Sequence, residues 1–220
     1  MNADLSSRNA ILAAARDLYG GAPAVPRTLQ SLRPYICPFE DLLPFVPEAG
    51  RILDIGCGAG LFLGLVGRAR PQVSGIGFDA SRDAVAVAQV MAQRHFAAGR
   101  IDFRYSAVED PWPSELFNAV SMIDVLHHVA PAHQAAAIRT AYDHVAPGGV
   151  MIYKDMADRP LLHAAWNRLH DMIIARQWIH YRRIDEVRGW LEAAGARVVR
   201  QAARSLGPYA HELVVVEKPA

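Results

Sequence analysis

One stretch organises the chain, Leu53-Asp54-Ile55-Gly56-Cys57-Gly58-Ala59-Gly60, because an apolar strand runs there directly into a glycine-rich turn. Residues 51–55 form the predicted strand, and the apolar run 61–66 forms the first turns of a predicted helix. Glycine at positions 56, 58 and 60 removes side chains from the end of the strand. The backbone can therefore turn sharply, and a ligand can approach its N–H groups. The stretch predicts a binding loop for a nucleotide-like ligand.

The spacing of these glycines argues against the dinucleotide fingerprint, which has glycine at its first, third and sixth positions. The sixth position is Leu61 when counted from Gly56 and Leu63 when counted from Gly58. An NAD-dependent oxidoreductase is therefore disfavoured. A merely flexible turn is also disfavoured, because strand, acidic residue, glycines and apolar helix follow one another in the required order.

What remains is D-x-G-x-G-x-G from Asp54 to Gly60, which resembles the first motif of class I S-adenosylmethionine (SAM) dependent methyltransferases. In that family the loop passes over the methionine and ribose parts of SAM. The resemblance covers residues 50–217 and implies an α/β fold. The expected architecture is a Rossmann-like, seven-stranded, mostly parallel sheet with helices on both faces, an antiparallel last strand and a helical cap. The resemblance also implies SAM as the cofactor, at the carboxyl ends of strands one, two and four.

An acidic residue ends the next predicted strand, where a ribose-binding carboxylate is expected. Residues 73–78 form this short apolar strand, Asp79 ends it, and Ala80 and Ser81 open a helix. A carboxylate accepts hydrogen bonds from two vicinal hydroxyls, so Asp79 is predicted to bind the ribose. The alternative is that Asp79 only caps the following helix, a role for which Ser81 is equally suited.

The third predicted strand, residues 100–105, precedes a departure from the family pattern. Ser106 stands where many members of the family have an aspartate that holds the adenine amino group. Ala107 and Val108 are left as backbone or apolar contacts to adenine, and Glu109 or Asp110 as substitutes for the missing carboxylate. The residues assigned to SAM are Asp54, Gly56, Cys57, Gly58, Gly60, Asp79, Ala80, Ala107, Val108, Ile123 and Asp124.

The fourth predicted strand, residues 117–123, runs into Asp124-Val125-Leu126-His127-His128. This segment resembles the fourth motif of small-molecule methyltransferases, placed where the transferable methyl group lies. An oxygen or acidic-carbon acceptor also has a proton to lose, and histidine titrates in the right pH range. His127 and His128 are therefore the candidate catalytic residues. The alternative is that one of the two only packs or orients the loop.

The fifth predicted strand, residues 150–156, ends in Lys154 and Asp155, which point to opposite faces, so at most one is expected to face the pocket. The histidines form no tight cluster with ligand spacing, and no metal site is predicted.

Two domains are expected: an N-terminal helical cap or lid, residues 1–48, and a SAM-binding methyltransferase domain, residues 49–220. Within the second, apolar and aromatic residues at helical spacing predict a helical insert at about 157–184. In the family, such an insert commonly caps the acceptor pocket, and His163 and His170 share one of its faces. The alternative is that its aromatic stripe is ordinary core.

The composition is that of a globular protein, with 52% hydrophobic and 20% charged residues among 220. A formal net charge of +1 gives no field that would gather nucleic acid, so a nucleic-acid partner is disfavoured. Two cysteines, no export signal and no long apolar segment predict a cytoplasmic protein without a membrane span. The oligomeric state is left open.

The expected activity is transfer of the SAM methyl group to a small organic acceptor, with an O or C nucleophile favoured, by in-line displacement that gives S-adenosylhomocysteine. Two alternatives stay open: a macromolecular or carrier-protein-bound acceptor, and a noncatalytic SAM-binding protein. Arg176, Arg182, Arg183 and Arg188 are the basic residues that would dock a macromolecule.

Overall fold

A computed structural model describes residues 4–157 and 180–220 of the chain. The chain divides into two compact units, Met1–Pro111 and Trp112–Ala220. The insert predicted over about 157–184, with His163 and His170, lies for its greater part outside the described residues, so its helix stays a prediction. The predicted domain boundary after residue 48 also stays a prediction.

The first unit combines an N-terminal group of helices with three strands and their connecting helices. Ser7 begins the first helix by accepting the Ala10 N–H on its hydroxyl, and Ser81 does the same for Ala84. The α-helices of this unit are α1 Arg8–Leu18, α2 Ala24–Leu32, α3 Phe39–Leu42, α4 Leu61–Ala69 and α5 Arg82–His95. Short 3₁₀ helices cover Arg33–Tyr35 and Leu43–Phe45, and the strands are β1 Ala49–Ile55, β2 Gln72–Asp79 and β3 Ile101–Tyr105.

The three strands of the first unit are parallel and in a continuous register. Leu53 pairs with Ile76, and Asp79 pairs with Tyr105. The almost wholly buried helix α4 packs near β2, which explains its apolar sequence. Because the strands are parallel, the glycine loop after β1 and Asp79 at the end of β2 lie at the same edge of the sheet.

Within residues 112–157 and 180–220, the second unit has four strands and two α-helices. Pro131 opens the first of these helices, where its missing N–H costs nothing. The elements are β4 Phe117–Ile123, a 3₁₀ turn Leu126–His128, α6 Pro131–Asp143, β5 Val145–Met156, α7 Ile184–Ala193, β6 Arg197–Leu206 and β7 Tyr209–Glu217.

Strand β5 begins earlier than the sequence pattern predicts. The predicted strand covers residues 150–156, yet β5 starts at Val145 and includes Pro147, Gly148 and Gly149. The glycines continue the ladder through the main chain: the Gly148 N–H donates to the Lys218 carbonyl and the Lys218 N–H donates to the Gly149 carbonyl. The irregularity that the turn residues impose appears as a register shift between Phe117 and Ala119 in the pairing of β4 with β5.

All seven strands belong to one sheet, in the order β3-β2-β1-β4-β5-β7-β6. Strand β5 is parallel to β4, whereas β7 is antiparallel to both β5 and β6. The predicted seven-stranded α/β sheet with an antiparallel last strand is therefore confirmed. Among the helices that the structure describes, none has the length and apolar character needed to cross a membrane.

Candidate active site

The glycine loop of the first unit, residues 56–60, turns through three left-handed residues. Gly56, Gly58 and Gly60 have φ angles of 64°, 54° and 85°, where a side chain costs about 1–2 kcal/mol. The Cys57 N–H donates to the Phe78 carbonyl at 3.0 Å, which fixes the loop to the end of β2. The alternation of glycines seen in the sequence is thus a conformational requirement of this turn.

The space around the glycines differs from one position to the next. A Cβ atom at Gly60 would lie 2.5 Å from Cζ of Phe103 and 2.9 Å from Cβ of Ala88, so this glycine lets helix and sheet pack closely. A Cβ at Gly58 would meet no atom of the described residues within 4 Å. Gly58 therefore leaves open space beside the loop, as a ligand that approaches the backbone requires.

This contrast predicts different stabilities for two alanine variants. We expect Gly60→Ala to lower the free energy of unfolding by about 2 kcal/mol or more, because overpacking adds to the backbone cost. Gly58→Ala should cost about 1 kcal/mol, since only the left-handed backbone opposes it. Urea unfolding of both variants beside the wild type measures the difference. Equal losses would contradict the packing role assigned to Gly60.

Asp79 links the glycine loop to the next helix. One carboxylate oxygen accepts the Gly58 N–H at 2.8 Å, and the other accepts the Ser81 N–H at 2.8 Å. The helix cap of α5 is Ser81, whose hydroxyl accepts the Ala84 N–H. Asp79 therefore does more than cap a helix: it holds Gly58 in place, and each of its oxygens keeps a second lone pair for a hydroxyl group.

The segment after β3 is closed by a carboxylate. Oδ2 of Asp110 accepts the Ala107 N–H at 2.7 Å and lies 3.4 Å from the Ser106 hydroxyl, which donates to it. The Ser106 N–H donates to the Asp79 carbonyl at 3.1 Å. Of the two substitutes considered for the missing aspartate, Asp110 is thus the one whose carboxylate reaches the Ser106–Ala107 segment.

Helix α1 supports the glycine loop through a residue that the sequence reasoning did not single out as a site residue. The hydroxyl of the buried Tyr19 donates to the Ala59 carbonyl at 2.6 Å, and burial raises the pKa of this hydroxyl. Its only sequence signal is its place at the end of the apolar pattern of α1, directly after the helix. A position on an apolar face does not distinguish a loop contact from ordinary core.

Cys57 is a packing residue in this loop. Burial and the nearby carboxylates of Asp54 and Asp79 raise the pKa of its thiol, which keeps it protonated and unreactive. Cys37 and Cys57 form no disulfide bond in the described part of the chain. Asp54 itself is 98% buried at the end of β1.

Asp124, in the second unit, follows β4 in a conformation that is rare outside glycine. Its φ of 57° is left-handed, and no other non-glycine residue within 4–157 and 180–220 has a positive φ. Its N–H donates to the Lys154 carbonyl at 2.8 Å, and its carboxylate accepts from Nζ of Lys154 at 2.5 Å. Both side chains are almost completely buried, with 5% and 1% exposed.

His127 forms a buried pair with Asp155. Nδ1 of His127 contacts Oδ1 of Asp155, and the His127 N–H donates to Oδ2 at 3.3 Å. Asp155 also accepts from the Met156 N–H at 2.7 Å and from the Tyr153 hydroxyl at 3.3 Å. Burial, followed by the Asp155 charge, raises the pKa of Tyr153 well above its ordinary value, so this phenol stays a hydrogen-bond donor.

The two candidate histidines differ in their surroundings. His127 is 2% exposed, whereas His128 is exposed, and their rings are 4.1 Å apart. Lys154 and Asp155, consecutive on β5, both reach the segment after β4, the first at Asp124 and the second at His127.

The basic residues considered for macromolecular docking are paired with acids of helix α7 where the structure describes them. Arg182 contacts Glu186 at 3.0 Å, and Arg188 contacts Asp185 at 3.4 Å. Arg183 lies 3.9 Å from Asp185, and Arg176 is outside the described residues. Across the described ranges, no three metal-ligating side chains come together.

Comparison with known proteins identifies a domain and several relatives. Residues 27–201 match the family model of a methyltransferase domain. The ubiquinone biosynthesis O-methyltransferase of Bradyrhizobium diazoefficiens is 35% identical over 102 residues, which cover 46% of this chain and 38% of that protein. The protein of the same name from Rhodopseudomonas palustris is 30% identical over 176 residues, which cover 73% of this chain and 63% of that protein. The chain thus spans less than two thirds of the length of these relatives.

Solved structures share the fold at low sequence identity. An O-methyltransferase family protein from Burkholderia thailandensis gives a TM-score of 0.68 at 22% identity, covering 99% of this chain and 61% of that chain. Magnesium protoporphyrin IX methyltransferase from Synechocystis, solved with bound S-adenosylhomocysteine, gives 0.68 at 18% identity, covering 94% and 93%. These similarities show the fold.

Proposed function

This chain belongs to the class I family of SAM-dependent methyltransferases, and from that premise we propose that it methylates a hydroxyl group of a small organic acceptor. The buried His127–Asp155 pair carries the proposal, because a hydroxyl acceptor needs a base. The relatives named as O-methyltransferases support oxygen as the acceptor atom.

SAM is the cofactor of this family, and the first unit fits it. The open space at Gly58 leaves room for a ligand against the loop, and Asp79 presents a carboxylate held by two backbone N–H groups. We assign the ribose hydroxyls to Asp79 and the close backbone approach to Gly58. Asp110 takes the role of the aspartate that Ser106 replaces, as acceptor for the adenine amino group.

Bound SAM supplies a methyl group on a positively charged sulfur, which needs no further activation. The protein has to hold the hydroxyl in line and remove its proton. Asp155 accepts the Nδ1 proton of His127, so Nε2 is the nitrogen that accepts a proton. Once Nε2 is protonated, the Asp155 carboxylate stabilises the imidazolium and keeps the ring in place.

Small-molecule acceptors are favoured over macromolecules by two observations. Two relatives are named for ubiquinone biosynthesis and a structural neighbour for magnesium protoporphyrin IX. The arginines Arg182 and Arg188 are engaged by carboxylates of α7, which reduces the basic character of this surface.

Calorimetric titration with S-adenosylhomocysteine tests the cofactor assignment. We expect micromolar affinity for the wild type and at least about tenfold weaker binding by Asp79→Ala, a loss of about 1.4 kcal/mol. Gly58→Val should also lose binding, since its side chain fills the open space beside the loop. Asp102→Ala, which removes an exposed carboxylate from β3, is the matched control. Absence of binding by folded wild type would refute the assignment.

Turnover separates the acceptor classes. Release of S-adenosylhomocysteine from SAM is measured with a panel of phenols, other small alcohols and amines. We expect turnover with hydroxyl compounds. Turnover confined to a carrier-protein-bound acceptor would replace the small-molecule proposal, and tight cofactor binding without turnover on any acceptor would favour the noncatalytic alternative.

A further inference from the structure

Gln134 of helix α6 is a completely buried polar residue outside the sites assigned above. Its amide nitrogen lies 3.0 Å from the Leu126 carbonyl, 3.1 Å from the Val129 carbonyl and 2.9 Å from the His180 carbonyl. Its amide oxygen accepts a hydrogen bond from the Nε–H group of Arg182 at 2.8 Å. Burying an amide is costly unless its hydrogen bonds are made, and here both ends of the group are used.

These partners belong to two chain segments that are distant in sequence. Leu126 and Val129 flank the two histidines, so Gln134 binds their turn at both ends. The other segment, residues 180–182, lies against the same turn: the His180 N–H donates to the His127 carbonyl at 2.8 Å. The Tyr181 ring centre is 5.7 Å from that of His127.

Arg182 anchors the second segment to helix α7. It donates to Gln134 and to Glu186, and its guanidinium lies 5.6 Å from the centre of the Trp190 ring. The segment is therefore held on one side by α7 and on the other by α6, with the histidine turn against it.

We propose that Gln134 is a positioning residue that clamps residues 180–182 onto the turn of His127 and His128. The clamp keeps the His127 ring aligned with both Asp155 and the acceptor. The part of this inference that concerns catalysis rests on the proposed function; the clamp itself does not. Small displacements at a reacting centre have large consequences, because a shift of about 1 Å can cost about 10²-fold in rate.

The test compares Gln134→Met, which keeps the length of the side chain and removes its hydrogen bonds, with the wild type. We expect kcat for methyl transfer to fall about 10–100-fold, while the affinity for S-adenosylhomocysteine stays within about twofold. The acid limb of the kcat profile should move to lower pH, since a loosened His127 gains less from Asp155 when it is protonated. A residue that only supports the fold would lower the melting temperature and leave this profile unchanged.

Hydrogen exchange tests the clamp without any activity. The His180 amide should exchange at least about tenfold faster in Gln134→Met, since its bond to the His127 carbonyl then opens more often. Arg182→Met is a second, more exposed variant that should show a smaller change in the same direction. Arg188→Met, at a half-buried arginine of α7 whose guanidinium donates to Gln201 of β6 at 2.8 Å, is the control.

Unchanged exchange at His180 in both folded variants would overturn the clamp. Faster exchange with an unaltered kcat would overturn its role in positioning. If the His180 amide exchanges faster in the variants but the wild type methylates no acceptor, the clamp is supported and the proposed function is wrong.

Discussion

Replacement of His127 by asparagine is expected to lower kcat by about 10²–10⁴-fold, the usual contribution of a general base, with little change in cofactor affinity. Asparagine keeps a polar side chain at the position but offers no nitrogen that accepts a proton near neutral pH. Asp155 binds Nδ1 of the imidazole and also accepts the backbone N–H of His127, so the loss should appear in the chemical step. Single-turnover release of S-adenosylhomocysteine, with cofactor affinity measured in parallel, separates the two effects.

Two further variants sharpen this prediction. Asp155→Asn should also cause a large loss, because its amide can present an N–H to Nδ1 and so turn the histidine into the wrong tautomer. His128→Asn should have the smaller effect, since His128 is exposed and contacts the buried ring of His127. A wild-type rate in His127→Asn, with loss of activity in His128→Asn, would transfer the role of the base to His128.

The parts of the molecule that the sequence predicts well are those that depend on neighbours along the chain. The glycine loop follows from spacing, because each left-handed turn residue must be a glycine at its own position. Asp79 follows from its place at the end of an apolar strand. The sequence shows two adjacent histidines after strand β4, but it does not show which of the two is buried.

Long-range partners account for what the sequence leaves unpredicted. His127 and Asp155 are 28 residues apart, and Gln134 and Arg182 are 48 apart. In the sequence, Gln134 is an ordinary residue of an amphipathic helix. Only the folded structure shows that two loops contact its amide. The early start of β5 has the same kind of origin, since the glycines pair through main-chain groups with Lys218 near the end of the chain.

The ion pair of Lys154 and Asp124 is a long-range contact that makes the stability of the fold depend strongly on one lysine. In the sequence, Lys154 stands at the end of an apolar strand with no neighbour along the chain that predicts its partner, and in the structure only 1% of its side chain is exposed. A buried ammonium is tolerated when a carboxylate is close. The Asp124 carboxylate meets this need, in a backbone conformation that itself costs energy.

Lys154→Met is therefore expected to lower the free energy of unfolding by about 3–5 kcal/mol, because the buried Asp124 carboxylate loses the ammonium that compensates it. Urea unfolding measures this loss. The matched control is Lys218→Met, the same change at a half-buried lysine whose ammonium donates to the Asp143 carbonyl at 3.2 Å, which should cost only about 1 kcal/mol. Adding Asp124→Asn to Lys154→Met should restore part of the stability, since the remaining charge is removed as well. Equal losses at Lys154 and Lys218 would contradict this prediction and show that the buried pair contributes little to stability.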